Sequence, residues 1–381
     1  MTAIENYSQI IDNIFGNGTT SFSKNRDVTN HVIGALNHST QFKEFNANFI
    51  ARLHRLRSIY SAKPQYLKDI IVQVNEIASE KNWEGAFAEL AAYDHLNSDN
   101  TYIVSPIKPN VTLFPTETYA KGLGKDAANL DGYIEEMSLY FDIKCFKDNV
   151  TDILEGIYKE LKQVLGRDDY TIRAEYQMDI AYEDFKGNRR DLLLELGKNL
   201  KPGITYLQSK VVQSLKYRIL WGKGVLTTQH PYNPYRHAEN YFRLFFNYAN
   251  KFVLSKPTII VMVVFPWFNH VISNFQNSNE ILYRSLSRRF FCQFRNDKTE
   301  LSTFNSKFKG NESLYQVSNS LSGIVFLEDD TILSNVPDRV NVKSYVYLNP
   351  NASNPIQRTL GYDYIRELAN SVIEDFEHDN Y

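Results

Sequence analysis

The sequence predicts an α/β fold in which helices flank a central mixed β-sheet. Apolar residues recur at helical spacing in several segments, most clearly in WEGAFAELAAYDHL at 83–96. NLDGYI at 129–134 and SLYFDIKCF at 138–146 have the character of successive strands, and the apolar run TIIVMVVF at 258–265 is typical of a buried strand. Helices and strands therefore alternate along the chain, which excludes a helical bundle and a β-sandwich.

The composition is that of an ordinary globular protein and excludes several classes of function. The 381 residues carry a formal net charge of −2, so a uniformly basic surface is excluded, although local basic patches are not. Cys145 and Cys292 form no CxxC pair, which argues against a thiolate zinc site and suits a reducing cytoplasm. No signal peptide is recognisable, and the longest apolar run, 258–268, is too short to cross a bilayer. We therefore expect a cytoplasmic protein with no membrane partner.

The chain is predicted to have three regions. Residues 1–80 carry helical periodicity throughout and form a helical N-terminal region. Residues 81–270 form the core, with an insertion at about 150–235, and residues 271–381 form a C-terminal extension. The division follows the point near Trp83 at which the helical pattern gives way to a helix and several strands.

Further elements are predicted from periodicity and composition. A long amphipathic helix is expected over 236–254 and a last helix over 361–376. Alternation predicts a strand over 171–182, and the polar segment 183–190 is expected to be a turn. The helix over 236–254 and the strand over 258–265 would complete the core after the insertion.

The segment LYFDIKCF places two opposite charges in an otherwise apolar strand. Because side chains alternate between the faces of a strand, Asp142 and Lys144 share one face, while Phe141, Ile143 and Cys145 share the other. A charge buried without a partner is costly, so the pair calls for a function or a structural partner.

The preceding strand carries a second carboxylate. If the two strands pair across a turn centred on Glu135 and Glu136, Asp131 lies opposite Tyr140 and on the same face as Asp142. Any loop of even length keeps this arrangement, whereas an odd length would break it. Two converging carboxylates form an oxygen-rich site of the kind that suits Mg²⁺ or Mn²⁺.

These residues resemble the motif of the PD-(D/E)XK nuclease superfamily. Asp131 followed by Asp142, Ile143 and Lys144 matches the motif, and Glu89 in GAFAELAAYDHL stands on the helix where the family carries a glutamate. The resemblance implies a restriction-endonuclease-like core. It also implies that Asp131, Asp142, Glu89 and the Ile143 carbonyl bind the metal ion, and that Lys144 is the catalytic lysine.

The same resemblance implies an activity. It points to Mg²⁺-dependent hydrolysis of phosphodiester bonds in double-stranded DNA, with Mn²⁺ as a substitute, by an endonuclease of the restriction or anti-phage defence type. Double-strand cleavage by one site per chain favours a homodimer. The alternative is a nucleic-acid-binding or interaction subunit of a defence complex that has a nuclease-like fold and no independent activity. Leu130 departs from the family pattern, which has proline before the first aspartate.

Other features of the sequence compete with this interpretation. The D/E-x-K triplet also occurs at 160–162, in a predicted helix, and at 184–186, in the predicted polar turn. Asp142 and Lys144 could instead form a structural cross-strand ion pair, and Asp131 could be a turn residue before Gly132. Glu84 competes with Glu89 for the position on the helix.

Two basic segments are candidates for contacts with nucleic acid. Arg52, Arg55 and Arg57 lie in a predicted helix, and Lys121 and Lys125 lie in the loop YAKGLGKDAAN. Lysine and arginine neutralise backbone phosphates, so both segments are predicted to bind DNA. The alternative for the helix is an ordinary solvated face.

Overall fold

The computed structural model describes most of the chain. The described residues are 2–24, 30–37, 42–98, 101–147, 149–175, 182–222, 224, 226, 233–266, 278–330, 342–356, 359–377 and 379. The chain divides into two compact units. The first unit comprises residues 1–146, 244–269 and 290–381, and the second comprises residues 147–243 and 270–289.

The described residues contain helices along the whole chain, and the first five precede the first strand. In chain order they are α1 (Ala3–Phe15), α2 (His31–Asn37), α3 (Lys43–Tyr60), α4 (Pro64–Glu76), α5 (Trp83–Leu96), α6 (Asn149–Leu165), α7 (Tyr182–Gly187), α8 (Arg189–Asn199), α9 (Pro234–Tyr241), α10 (Ser278–Cys292), α11 (Leu314–Asn319) and α12 (Leu360–Leu368). Four 3₁₀ helices lie at Lys121–Leu123, Glu135–Met137, Phe242–Lys251 and Leu301–Thr303 within the described part of the chain. The helical character predicted for residues 1–80 is confirmed where the structure describes them.

The strands form two sheets. In chain order they are β1 (Lys108–Leu113), β2 (Ala128–Ile134), β3 (Leu139–Cys145), β4 (Tyr170–Glu175), β5 (Tyr206–Gln208), β6 (Lys216–Trp221), β7 (Thr258–Val264), β8 (Gly323–Asp329), β9 (Val342–Leu348) and β10 (Val372–Glu374). The larger sheet has seven strands in the order β1-β2-β3-β7-β8-β9-β10. It is mixed, because β3 pairs in parallel with β7 and antiparallel with β2. The predicted α/β fold with a mixed central sheet and flanking helices is confirmed.

The core of the first unit lies between the sheet and the helices. β7 is buried along its whole length, as its apolar sequence predicts. Ile259, Val261 and Val263 belong to the same buried cluster as Phe87 and Leu90 of α5. The helix α5 is buried over most of its length, because WEGAFAELAAYDHL is apolar on more than one side.

The hairpin between β2 and β3 has a register different from the predicted one. Tyr133 pairs with Tyr140 and Ile134 with Leu139, so the prediction that Asp131 faces Tyr140 is wrong. The connection contains a 3₁₀ turn and ends at Ser138, whose φ is 50°. The loop is longer than predicted but its length is still even, so Asp131 remains on the face of β2 that adjoins Asp142.

The second unit contains the smaller sheet. It is antiparallel in the order β4-β6-β5, and its apolar face packs on α6 and α8 through a separate buried cluster. Residues 182–187 form the helix α7, so the polar turn predicted at 183–190 is wrong. Phe185 is buried in this unit and anchors the helix, which outweighs the polar composition. Of the strand predicted over 171–182, β4 covers the first part and 176–181 lie outside the described residues.

Two predicted helices end earlier than expected. The segment predicted as one helix over 236–254 is α9 followed by the 3₁₀ helix Phe242–Lys251. The last helix ends at Leu368, and the segment after it forms β10 instead. The side chain of Asn370 donates to the carbonyl of Val342 and accepts from the N–H of Ser344, which places this segment beside β9 for strand pairing.

The two compact units differ from the three regions predicted from the sequence. Strands β8, β9 and β10, from the predicted C-terminal extension, lie in the same sheet as β2 and β3. Sheet hydrogen bonding, which sequence periodicity does not reveal, is what joins these distant segments. Within the described residues, no helix is both long enough and apolar enough to cross a membrane.

Gly132 of β2 is predicted to be intolerant of a side chain. A Cβ at this position would lie 2.0 Å from Cζ of Phe141, which is fully buried and cannot move aside freely. Gly132→Ala should therefore lower the free energy of unfolding by about 1–3 kcal/mol, as overpacking does. Urea unfolding measures this, with Gly85→Ala as the control, because a Cβ at Gly85 meets nothing within 4 Å. Equal unfolding midpoints for the two variants would contradict the prediction.

Candidate active site

Asp142 lies at the centre of the candidate site. Its side chain is 0% exposed, and its carboxylate contacts two ammonium groups. Lys144 Nζ is 2.5 Å from Oδ2, and Lys251 Nζ is 2.9 Å from Oδ1. A buried carboxylate needs such compensation, because removing its charge from water without a partner is costly.

Asp131 lies beside Asp142 and is held by backbone contacts. Its Oδ2 accepts a hydrogen bond from the N–H of Ile143 at 2.6 Å, and its carbonyl accepts one from the hydroxyl of Tyr93 at 2.5 Å. Burial and the neighbouring Asp142 carboxylate raise the pKa of Asp131 to about 7, although Lys144 opposes the shift. The second carboxylate is thus fixed in position by β3 and by α5.

Glu89 is brought to the same site by α5. Its Oε2 is buried and has no hydrogen-bond partner among the described residues. Burial raises the pKa of Glu89 to about 9, and the charges of Asp131 and Asp142 act in the same direction. Glu84 lies in the first turn of α5, whereas the carboxyl group that interacts with Asp131 and Asp142 is that of Glu89.

Lys144 is held as a cation. Its Nζ donates to the carbonyl of Ile143 at 2.8 Å, lies 3.7 Å from Asp131 Oδ2 and is 5.6 Å from the ring centroid of Tyr248. Burial lowers the pKa of Lys144, but Asp142 and Asp131 outweigh it and place that pKa above its usual value. In this arrangement, the side chain supplies positive charge and is a poor proton acceptor.

Lys251 is a member of the site that the sequence analysis missed. It is the last residue of the 3₁₀ helix Phe242–Lys251, in which side chains three residues apart are aligned. Tyr248 and Lys251 therefore lie on one edge of that helix, next to Lys144 and Asp142. The sequence offered no signal for this, because the segment has the periodicity of an amphipathic α-helix and a lysine there is usually solvated.

The donor set suits a hard divalent cation. The site offers three carboxyl groups, of Glu89, Asp131 and Asp142, together with the carbonyl of Ile143. The buried Oε2 of Glu89 lacks a partner among the described residues, as expected of a ligand without its ion. As the described side chains stand, however, no three His, Cys, Asp or Glu residues form a group that could hold a metal ion. Lysine ammonium groups supply the counter-charge in this arrangement.

The prediction that Arg52 binds nucleic acid is wrong, because its side chain is buried within the protein. The Arg52 side chain is 2% exposed and contacts two buried carboxylates, Asp329 at 2.5 Å and Asp94 at 3.4 Å. Arg55 donates to both carboxylate oxygens of Asp94, at 2.8 Å and 2.6 Å. These arginines join α3 to α5 and β8, so their guanidinium groups are already engaged within the protein. Arg55 is half-buried and Arg57 is exposed, and the contact of either with nucleic acid stays a prediction.

The two predicted loop lysines lie in different surroundings. Lys121 and Lys125 are both exposed. Partial burial and the nearby ammonium group of Lys251 lower the pKa of Lys125. The charge of Lys144 acts in the same direction, and the carboxylate of Asp142 opposes the shift. The structure thus brings Lys125 to the edge of the site, and the contact of Lys121 with nucleic acid stays a prediction.

No protein-family model matches the chain, and no curated protein or solved structure matches it. Its function is therefore inferred from the charges, contacts and burial of the residues at the site.

Glu89→Gln is predicted to change how stability depends on pH. The pKa of Glu89 is raised in the folded chain from 4.5 to about 9, so the folded state holds a proton that the unfolded chain releases. The metal-free wild type should lose stability through this group as pH rises between those two values. Glu89→Gln removes that loss, so its melting temperature should exceed that of the wild type by a margin that grows with pH.

Thermal unfolding at several pH values in EDTA measures this margin. Glu84→Gln is the control on the same helix, and its difference from the wild type should not grow in the same way. A margin for Glu89→Gln that stays constant with pH would show that the group is not buried as a neutral acid.

Arg52→Met is predicted to be strongly destabilising. It removes the contact between Arg52 and the buried Asp329, and it removes one of the two arginines that contact Asp94. Breaking a buried ion pair in this way costs about 3–5 kcal/mol. Urea unfolding measures the loss, and Arg57→Met, at an exposed position of α3, should change stability by only about 0.5 kcal/mol. Similar losses in both variants would contradict a structural role for Arg52.

Proposed function

We propose that this chain is a Mg²⁺-dependent nuclease that hydrolyses phosphodiester bonds in DNA, and that its core is of the restriction-endonuclease-like kind. The observation that carries the proposal is the grouping of four predicted residues beside the β2–β3 pair. Lys144 contacts Asp131 and Asp142, and Glu89 of α5 is near enough for the charges of both carboxyl groups to act on it. The four residues come from three different elements, so the fold and not the local sequence brings them together.

The order of elements also supports the proposal. The helix α5 precedes β1, β2 and β3, as the resemblance to the PD-(D/E)XK superfamily requires. A helical segment and then β7 follow after a long intervening stretch, and β7 lies beside β3 in the sheet. Only one D/E-x-K triplet, Asp142 to Lys144, lies in a strand, since the triplets at 160–162 and 184–186 lie in α6 and α7.

The residues that would hold the cation are Asp131, Asp142, Glu89 and the carbonyl of Ile143. When bound, Mg²⁺ or Mn²⁺ would lower the pKa of a coordinated water molecule and offset negative charge on the phosphate. Both are hard cations that prefer oxygen ligands, and the site offers only oxygen ligands.

The lysines of the site have an electrostatic role in this proposal. Lys144 is held protonated by Asp142 and Asp131, so it stabilises negative charge on the phosphorus centre instead of taking a proton from water.

The substrate and biological setting belong to the proposal as well. Double-stranded DNA is favoured because lysines surround the site although the chain as a whole has a charge of −2. Cutting both strands would take two sites and hence a homodimer. We place the activity in the cytoplasm, in restriction or defence against phage, where its free cysteines would stay reduced.

One observation favours a second candidate function. Lys144 and Lys251 already compensate Asp142 without a metal ion, as they would in a purely structural ion cluster. The chain would then be a nucleic-acid-binding or interaction subunit of a defence complex, with a nuclease-like fold and no activity of its own.

Plasmid cleavage in Mg²⁺ and in Mn²⁺ tests the proposal. Asp142→Asn and Lys144→Ala should each reduce cleavage by at least about 100-fold, because the first removes a ligand of the cation and the second removes positive charge beside the phosphate. Lys162→Ala, at an exposed position of a triplet in α6, should cut like the wild type. Cleavage that survives both site substitutions would contradict the assignment. Absent cleavage together with intact metal binding would favour the second candidate.

A further inference from the structure

Lys251 lies between a buried carboxylate and the solvent. Its side chain is 19% exposed, whereas Asp142, which it contacts at 2.9 Å, is 0% exposed. Its Nζ also donates to the carbonyl of Asn129 on β2. The ammonium group is thus held by the protein on its inner side and reaches the surface on the other.

The two lysines that contact Asp142 differ in how many of their N–H donors already face acceptors of the protein. Lys144 contacts Asp142, Asp131 and the carbonyl of Ile143, so its ammonium group is surrounded by acceptors of the protein. An ammonium group has three N–H donors, and the contacts of Lys251 within the described chain use two of them. A third donor of Lys251 is therefore available to an acceptor from outside.

Lys125 is the neighbour of Lys251 on the exposed side. It follows Gly124, whose φ of 66° turns the loop, and it is exposed. Lys251 is close enough to Lys125 to contribute, after burial, to a lowered pKa of that side chain. Two ammonium groups held near each other repel, and an anion between them would relieve the repulsion.

We propose that Lys251 and Lys125 form a phosphate-binding pair that holds the DNA backbone beside Asp142. This inference rests on the proposed function, and it deepens that function by assigning the residues that bind the phosphodiester. Lys251 contacts a non-bridging oxygen of the phosphate through its remaining donor, while Lys125 contacts the same or the adjacent phosphate from the loop.

Binding of duplex DNA without any metal ion tests this pair. Fluorescence anisotropy in EDTA, over a series of NaCl concentrations, gives the affinity and its dependence on salt. Lys251→Gln and Lys125→Gln should each weaken binding by roughly tenfold, as loss of a charged hydrogen bond does. Each should also reduce the slope of log K against log salt by about 0.9, the value for one phosphate contact.

Two further variants separate phosphate binding from structure. Lys256→Gln removes the same charge from an exposed position near Lys251, and it should leave the slope unchanged. Lys251→Arg keeps the charge and the donors, so it should keep the slope. If the melting curve shows that Lys251→Gln does not fold, the test relies on Lys125→Gln, because the Lys125 side chain is exposed and its replacement should not disturb folding.

A slope for Lys251→Gln and Lys125→Gln equal to that of Lys256→Gln would overturn the inference, as would a wild type that does not bind duplex DNA. Since this assay uses neither metal nor cleavage, its failure leaves the plasmid assay as an independent test of the nuclease. Conversely, the wild type could bind DNA with the predicted salt dependence and yet fail to cut the plasmid. That result would support the phosphate-binding role of Lys251 and Lys125 and would exclude catalysis by the isolated chain.

Discussion

The buried carboxylate of Asp142 is the constraint on which the rest of the site depends. It lies at 0% exposure on β3, between β2 and the buried strand β7, and so it must be compensated by charges from other elements. Lys144 comes from the same strand, and Lys251 comes from the helical segment before β7. The stability of this part of the sheet and the chemistry of the site are therefore coupled through one group. Replacing the whole ion cluster with packed apolar residues is often neutral or stabilising, whereas removing Asp142 alone would leave Lys144 and Lys251 without their shared carboxylate.

The elements around Asp142 are fixed by contacts that do not belong to the site itself. Tyr93 of α5 bonds to the backbone of Asp131, which sets the distance between that helix and β2. A second buried network, from Arg52 to Asp329 and Asp94, joins α3 to β8 and to the same helix. Glu89 is carried by α5 and thus reaches the carboxylates only because these contacts hold the helix in place. Positioning of this kind, by packed elements on several sides, is what keeps an active site ready for its substrate.

The sequence predicted the parts of this arrangement that follow from local periodicity. The alternation of side chains put Asp142 and Lys144 on one face, and the even loop kept Asp131 beside them although the predicted register was wrong. Contacts between distant segments could not be predicted in this way. The burial of Arg52 depends on a partner, Asp329, that is 277 residues away in the chain. The position of Lys251 beside Asp142 depends on a 3₁₀ helix, and the sequence pattern of that segment fits an α-helix equally well.

The most direct test of this account is Mn²⁺ binding, measured by the loss of the free-ion signal in electron paramagnetic resonance. The wild type should bind Mn²⁺ saturably and Asp142→Asn should not, because a neutral amide cannot replace the central carboxylate. Lys162→Ala should bind Mn²⁺ as the wild type does. Absence of binding by the wild type, or equal binding by Asp142→Asn, would contradict the central claim that these carboxyl groups form a metal-dependent active site.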